Sequence, residues 1–273
     1  KVRDSLLLYL NRNRQVGDKI VEKIKFNENL RNELQQVQKE AKEKAKKIAL
    51  NIPKLKDCKH HYNDNHKDGE KSMIFITEGQ SASGSLVSCR DVMTQAIYSL
   101  RGKPLNVFGM GKDTVYKNEE LYNLMKALGI EDGIDGLRYN KIVIATDADV
   151  DGFHIRNLIL TYFFVFFEPI ALSGHIHILE TPLFRVRNKK ETIYCYNEKE
   201  KEIALKKLGS SAEITRFKGL GEISPKEFGQ FIGKDTRLIP VVIDHLAELR
   251  KSLSFFMGKN TQDRKEYIMK NLI

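Results

Sequence analysis

Apolar residues recur every three or four positions between residues 28 and 50, at Leu30, Leu34, Val37, Ala41, Ala45 and Ile48, with Lys, Glu and Gln between them. A period near 3.6 predicts a helix with one narrow apolar stripe. Asn51-Ile52-Pro53 ends it, because proline cannot continue a helix. The polar stretch from Lys54 to Lys71 reads as a linker.

A different pattern follows. Met73-Ile74-Phe75-Ile76 is a short apolar run with β-branched and aromatic members, leading through Thr77-Glu78-Gly79 into Ser81-Ala82-Ser83-Gly84-Ser85. That order predicts strand, tight turn and helix start. It returns at Lys141-Ile142-Val143-Ile144-Ala145, then Thr146-Asp147-Ala148-Asp149-Val150-Asp151-Gly152, then an apolar helical stretch from about Ile155 to Phe167. Two strand-turn-helix units in one domain imply an α/β fold, a Rossmann-like parallel sheet with helices on both faces. A third strand is expected at His175 to Leu179. Beyond Arg187 the pattern predicts a mixed α+β tail: a hairpin around Asn188, a helix near Glu198 to Leu208, a glycine turn at Lys218-Gly219-Leu220-Gly221, and helices toward Ile273. The expected organisation is a basic helical segment and linker over 1–70, the α/β domain over 71–187, and a tail domain over 188–273.

With 41% apolar residues the chain can bury a real core. Its longest apolar stretch, Leu158 to Leu172, is broken by Glu168 and Pro169 and falls short of the ~18 residues of a membrane span. The first residues lack an export signal, so the cytoplasm is the expected compartment and no membrane partner is expected. Cys58, Cys89 and Cys195 are far apart with no CxxC pair, which points to reduced structural thiols. Cys58, His60, His61 and His66 fit no standard metal spacing and read as a polar loop. The net charge is +10, and residues 1–60 hold 16 Lys and Arg against 8 Asp and Glu. A polyanion is the natural partner of such a surface, with a solvated Lys/Glu face as the plain alternative.

The acids carry the chemistry. In parallel sheets functional groups gather beyond the carboxyl ends of the strands, where Glu78, Asp147, Asp149 and Asp151 fall. Carboxylates packed together repel unless a cation sits among them. Hard oxygen ligands without a histidine pair point to magnesium working with phosphate oxygens. Asp147, Asp149, Asp151 and Gly152 also match positions 1, 3, 5 and 6 of a calcium loop. Position 12 is then Leu158, which offers no ligand, and the preceding element is a strand where a helix is required. Helix capping would account for one aspartate, not for three and a glutamate.

Four stretches in order, Glu78 to Ser85, Leu100-Arg101-Gly102-Lys103-Pro104-Leu105-Asn106, Thr146 to Arg156, and Arg216-Phe217-Lys218-Gly219-Leu220-Gly221-Glu222, resemble the TOPRIM and tail motifs of the B subunits of type IIA topoisomerases. The closing Phe256-Met257-Gly258 and Arg264 to Ile268 resemble the end of those subunits, and residues 1–60 the basic helical stretch before TOPRIM. The resemblance implies a TOPRIM fold. It implies that Glu78 binds metal and serves as general acid or base for the ribose 3′ oxygen, with Asp147 and Asp149 as metal ligands and Asp151 as a further ligand. Lys103 and Asn106 match positions close to DNA, with His154, Arg156 and Lys218 as phosphate neighbours; the plain reading of Gly219 and Gly221 is that they supply turn angles. The family usually has aspartate where this chain has Gln80 and glycine where it has Ser83, which makes the site less negative.

The resemblance further implies Mg²⁺, replaceable by Mn²⁺ or Ca²⁺, as cofactor, and double-stranded DNA and an A subunit as partners in an A2B2 assembly. The ATP-binding region and the attacking tyrosine are expected outside this chain. The overall pattern leans toward topoisomerase IV over gyrase. A stand-alone TOPRIM nuclease or primase needs only the acidic cluster, and a metal-free DNA-binding module needs none of it; the Leu100 to Asn106 and Arg216 to Glu222 motifs separate them from the topoisomerase reading.

Overall fold

The computed structural model describes residues 2–47, 52, 54–64, 66–209, 211–233 and 235–272, with the side chains at 4, 38–47 and 80–82 outside that description. In chain order the elements are α1 (Val2–Arg12), α2 (Arg14–Lys47), β1 (Leu55–Lys56), β2 (Met73–Glu78), α3 (Gly79–Cys89), β3 (Gln95–Leu100), α4 (Asp113–Lys117), α5 (Glu119–Leu128) and β4 (Lys141–Ala145). There follow α6 (Val150–Phe166), α7 (Glu168–Leu172), β5 (Ile176–Glu180), β6 (Phe184–Arg187), β7 (Thr192–Cys195), α8 (Glu198–Leu208), β8 (Glu213–Arg216), α9 (Pro225–Ile232), β9 (Arg237–Pro240), α10 (Leu246–Met257) and α11 (Thr261–Asn271). Two compact units result, one of residues 1–51 with 112–118, the other of 52–111 with 119–273.

The first unit is helical. Its long helix α2 begins at Arg14, well before the expected residue 28; the expected stop at Asn51 and Pro53 lies outside the described residues. Among the described residues no helix is long and apolar enough to cross a membrane.

The second unit is built on a six-stranded sheet in the order β1-β3-β2-β4-β5-β9. β3, β2, β4 and β5 run parallel, and the edge strands β1 and β9 are antiparallel. Ile74, Phe75 and Ile76 in β2 and Ile142, Val143 and Ile144 in β4 are fully buried, as expected of parallel strands covered on both faces. One face, from Phe75, Ile97 and Val143, packs on Leu86 of α3 and on Phe217, Leu220, Phe228 and Phe231 of the tail. Towards the other face α6 buries Ile155, Leu158, Ile159, Tyr162 and Phe163, a stripe at the spacing of one helix side. There the Tyr98 hydroxyl donates to the Glu120 carbonyl at 3.3 Å and the Tyr162 hydroxyl to that of Leu121 at 3.3 Å, tying β3 and α6 to α5.

A three-stranded antiparallel sheet, β7-β6-β8, carries its own core of Phe184, Val186, Cys195, Ala204 and Leu208 against α8. The hairpin around Asn188 and the helix Glu198–Leu208 stand where the sequence predicts them. The third strand falls one residue later than expected, and β3, α5, β8 and β9 are additional.

The polar stretch read as a linker is packed. Leu55 pairs with Tyr98 in the sheet, Cys58 is buried, and Asp57 binds the Tyr139 hydroxyl at 2.6 Å and the Arg138 guanidinium. Its polar side chains are matched to charges that lie some 80 residues further on, which removes the cost of burying them.

Candidate metal centre

β2 and β4 lie side by side with Thr77 opposite Ala145, so both strands release their next residues at the same sheet edge. Glu78 ends β2, and Gly79, at φ +74, turns the chain at once into α3, a backbone state that glycine reaches without a side-chain penalty. Asp147 and Asp149 follow β4 in the turn before α6. Asp149 caps that helix, its Oδ1 accepting from the Gly152 amide at 2.8 Å, and Asp151 stands in the first helical turn.

Glu78 feels the charges of the three aspartates. The Glu78 carboxyl is pushed above the ordinary glutamate value by burial first, then by Asp147, Asp149 and Asp151, with Lys103 opposing. Its Oε2 is buried and has no hydrogen-bond partner among the described residues. Asp147 is also raised, by burial first and by Asp149 and Glu222, against a lowering hydrogen bond from Leu220. Asp151 is exposed and goes the other way: the Lys103 ammonium, 2.7 Å from its Oδ1, holds it below the usual aspartate range.

The tail reaches this edge too. The Leu220 amide donates to Asp147 Oδ1 at 2.7 Å, and a Cβ placed on Gly219 would lie 2.7 Å from Asp147 Oδ2. Gly219 has φ −141, ordinary extended backbone. Its glycine therefore answers a close approach to Asp147, not the turn angle that the sequence alone offers as the plain reading. The turn is closed by the Lys218 amide donating to Glu222 Oε2 at 2.8 Å. Gly152 is under the same constraint from the other side, since its Cβ would lie 2.1 Å from the Asp147 carbonyl oxygen. Gly152, the Leu220 amide and Glu222 stand outside the site residues that the sequence predicts; the signal available is Gly152 directly after Asp151, and Glu222 at the end of the Arg216 to Glu222 motif.

The basic residues divide. Lys103 is ion-paired to Asp151, His154 is exposed near the start of α6, and Lys218 is exposed beside Gly219. Arg156 is partly buried, 5.1 Å above the Phe153 ring; burial lowers its pKa, and its Nε has no partner among the described residues. Asn106 is engaged inside the protein: its Nδ2 donates to the Met257 carbonyl at 2.9 Å and its Oδ1 accepts from the Phe108 amide at 3.1 Å. Ser83 is buried, and the Gln80 side chain lies outside the described residues.

A buried carboxylate oxygen without a donor, among three further carboxylates of hard oxygen character, fits a divalent cation such as Mg²⁺. Among the described residues the group whose ligand atoms all lie within 4.8 Å of one another is Asp57, Cys58 and His61, a closeness that no three of the four acids reach, but that group does not fit a metal. Burial and the Asp57 charge push the Cys58 thiol up to about 12, so it stays protonated and donates to the His60 carbonyl. The Arg138 guanidinium already stands against Asp57 and 2.7 Å from His61 Nε2.

Comparison with known sequences matches residues 73–181 to the Toprim domain and residues 209–269 to the family described as DNA gyrase B subunit, carboxyl terminus. The B subunit of DNA topoisomerase 4 of Borreliella burgdorferi is 61% identical over 93% of this chain and 43% of its own length. The B subunit of the mitochondrial DNA gyrase of Arabidopsis thaliana is 42% identical over 79% of this chain and 30% of its own length. The chain spans less than half the length of these relatives. Among solved structures, the Plasmodium falciparum topoisomerase II DNA-binding, cleavage and re-ligation domain superposes with a TM-score of 0.68 at 26% identity, over 82% of this chain and 32% of that one.

Proposed function

Since this chain belongs, in its Toprim and carboxyl-terminal parts, to the B subunits of type IIA DNA topoisomerases, we propose that it supplies the Mg²⁺ site at which DNA strands are reversibly cut and rejoined. The observation that carries this reading is that Glu78 ends one strand with a buried Oε2 that has no hydrogen-bond partner among the described residues, and feels the charges of Asp147 and Asp149 from beyond the end of the neighbouring strand. Glu78, Asp147 and Asp149 would hold the ion, with Asp151 as a further ligand once released by Lys103. When bound, Mg²⁺ supplies charge neutralisation at the reacting phosphate.

The chain's own groups do the rest. Glu78, whose carboxyl is pushed above the ordinary glutamate value by burial and the neighbouring aspartates, would give or take the proton at the ribose 3′ oxygen. Lys103, His154 and Lys218, all exposed, would meet phosphate oxygens beside the acids. Arg156, its guanidinium partly desolvated, is a candidate neighbour of the same backbone. Asn106 acts through the loop it holds, since both ends of its amide are committed. The attacking tyrosine would come from the A subunit, in an A2B2 assembly on double-stranded DNA, with ATP bound elsewhere in the full-length protein. The higher identity to the topoisomerase 4 relative supports the topoisomerase IV type over gyrase.

The test is Asp147→Ala in the full-length protein combined with the A subunit and supercoiled DNA. Mg²⁺-dependent cleavage is expected to disappear; cleavage at the wild-type level would rule the assignment out.

A further inference from the structure

We propose that the glycine turn Lys218–Glu222 is a positioning element of the metal site: the Leu220 amide fixes the Asp147 carboxylate, and Gly219 lacks a side chain so that the turn can approach closely enough to do so. The inference rests on the metal-site reading above and extends it to a segment 73 positions downstream of the ligand.

The carboxylate is oriented by one strong contact. A carboxylate oxygen that accepts a 2.7 Å hydrogen bond from a backbone amide has its plane fixed, while the remaining lone pairs stay available to a cation. The space around it is shaped by the glycine. The three atoms nearest a Cβ on Gly219 are Asp147 Oδ2 at 2.7 Å, Cγ at 3.1 Å and Oδ1 at 3.3 Å, so an added methyl group would strike the carboxylate first.

The turn itself cannot retreat. Leu220 is 1% exposed and packs in the core with Phe217, Ile223 and Phe228, and Glu222 braces the turn through the Lys218 amide. The Asp147 side chain, held at this end by that one hydrogen bond, is the part that gives way. Gly219 has extended φ and ψ that alanine adopts equally well. A methyl group there should therefore leave the fold intact and rotate Asp147 out of place. Stability and metal affinity come apart at this position, which a merely structural glycine would not allow.

The experiment uses the 273-residue chain, wild type, Gly219→Ala and Asp147→Ala, with Mn²⁺ titrations followed by the electron paramagnetic resonance of the free ion and melting curves in EDTA. Gly219→Ala is expected to melt with the wild type and to bind Mn²⁺ about 10–100-fold more weakly, the loss typical when a ligand's supporting partner is removed. Wild-type affinity in Gly219→Ala, with affinity lost in Asp147→Ala, overturns the positioning role and leaves the metal site standing. Affinity retained in both overturns the metal site itself. Should Gly219→Ala melt far below the wild type, hydrogen exchange of the 217–223 segment decides: Asp147→Ala is expected to speed exchange at the Leu220 amide, and unchanged protection overturns the proposal.

Discussion

Replacing Gly152 by alanine places a methyl group 2.1 Å from the Asp147 carbonyl oxygen, 2.8 Å from its carbonyl carbon and 2.9 Å from its nitrogen. Ordinary van der Waals contact begins near 3.4 Å, and all three atoms are backbone, so no rotamer change relieves the overlap. The first turn of α6 must move away by more than an ångström. That movement also breaks the bond from the Gly152 amide to Asp149 Oδ1 at 2.8 Å. Overpacking costs roughly 1–3 kcal/mol and a lost helix cap about 1 kcal/mol. A combined loss of about 3 kcal/mol lowers the melting temperature by roughly 6–12 °C in a chain of this size. Gly84 is the internal control: it lies within α3, and among the described residues nothing beyond the helix's own backbone lies within 4 Å of a Cβ there. Alanine there should raise stability by about 0.5–1 kcal/mol through helix propensity and the stiffer unfolded chain. The assay is calorimetric melting of both variants in EDTA. If Gly152→Ala melted with the wild type, or if both variants shifted in the same direction, the close packing on Asp147 would be wrong.

Other outcomes follow from the same geometry. Glu78 has a folded-state pKa above its ordinary value, so the folded chain without metal holds that proton more tightly than the unfolded one, and the charged form costs stability at neutral and higher pH. Glu78→Gln is expected to raise the melting temperature in EDTA at pH 8, with the gain shrinking as pH falls through the glutamate range, and to abolish the stabilisation by Mg²⁺ expected of the wild type. For Asp57 burial alone would raise the pKa, but hydrogen bonds from Tyr139, His61 and Arg138 outweigh it and leave it lowered. Its contribution is present above the ordinary aspartate range and lost as pH falls through the lowered value. Asp57→Ala should therefore cost about 1–3 kcal/mol at neutral pH, measured by urea unfolding, and converge with wild type in acid. Lys103 and Asp151 are 45% and 63% exposed, so Lys103→Ala should melt close to the wild type in EDTA, since solvent screens such a pair. The same variant should flatten the salt dependence of DNA binding by about one phosphate contact, read from binding isotherms across salt concentrations.

β2 and β4 are legible in the sequence because buried parallel strands are unbroken apolar runs, and the acids are legible because they stand where such runs end. β3 is not, and Gln95 shows why: it is buried, yet polar, because its amide donates to the Ile232 carbonyl at 2.6 Å from 137 positions away. No local pattern encodes a partner so distant. The stretch from Lys54 to Lys71 misleads for the same reason, since Asp57 and His61 read as solvated until Arg138 and Tyr139 are placed beside them. α5 is a different case: Leu121, Leu124, Met125 and Leu128 carry a plain helical period that the sequence alone displays. Gly219 is visible as a motif residue, but its purpose lies in an aspartate on another strand.

The aromatic rings of Phe228 and Phe231, carried by the last third of the polypeptide, shield Phe75, Ile97 and Val143 from water. Excising the sheet at the end of β5 would bare that oily plane, and the resulting piece should clump instead of remaining dispersed. Recombining such proteins between lineages would have to transfer both stretches, and the turn that joins them to the acids, as one inheritance.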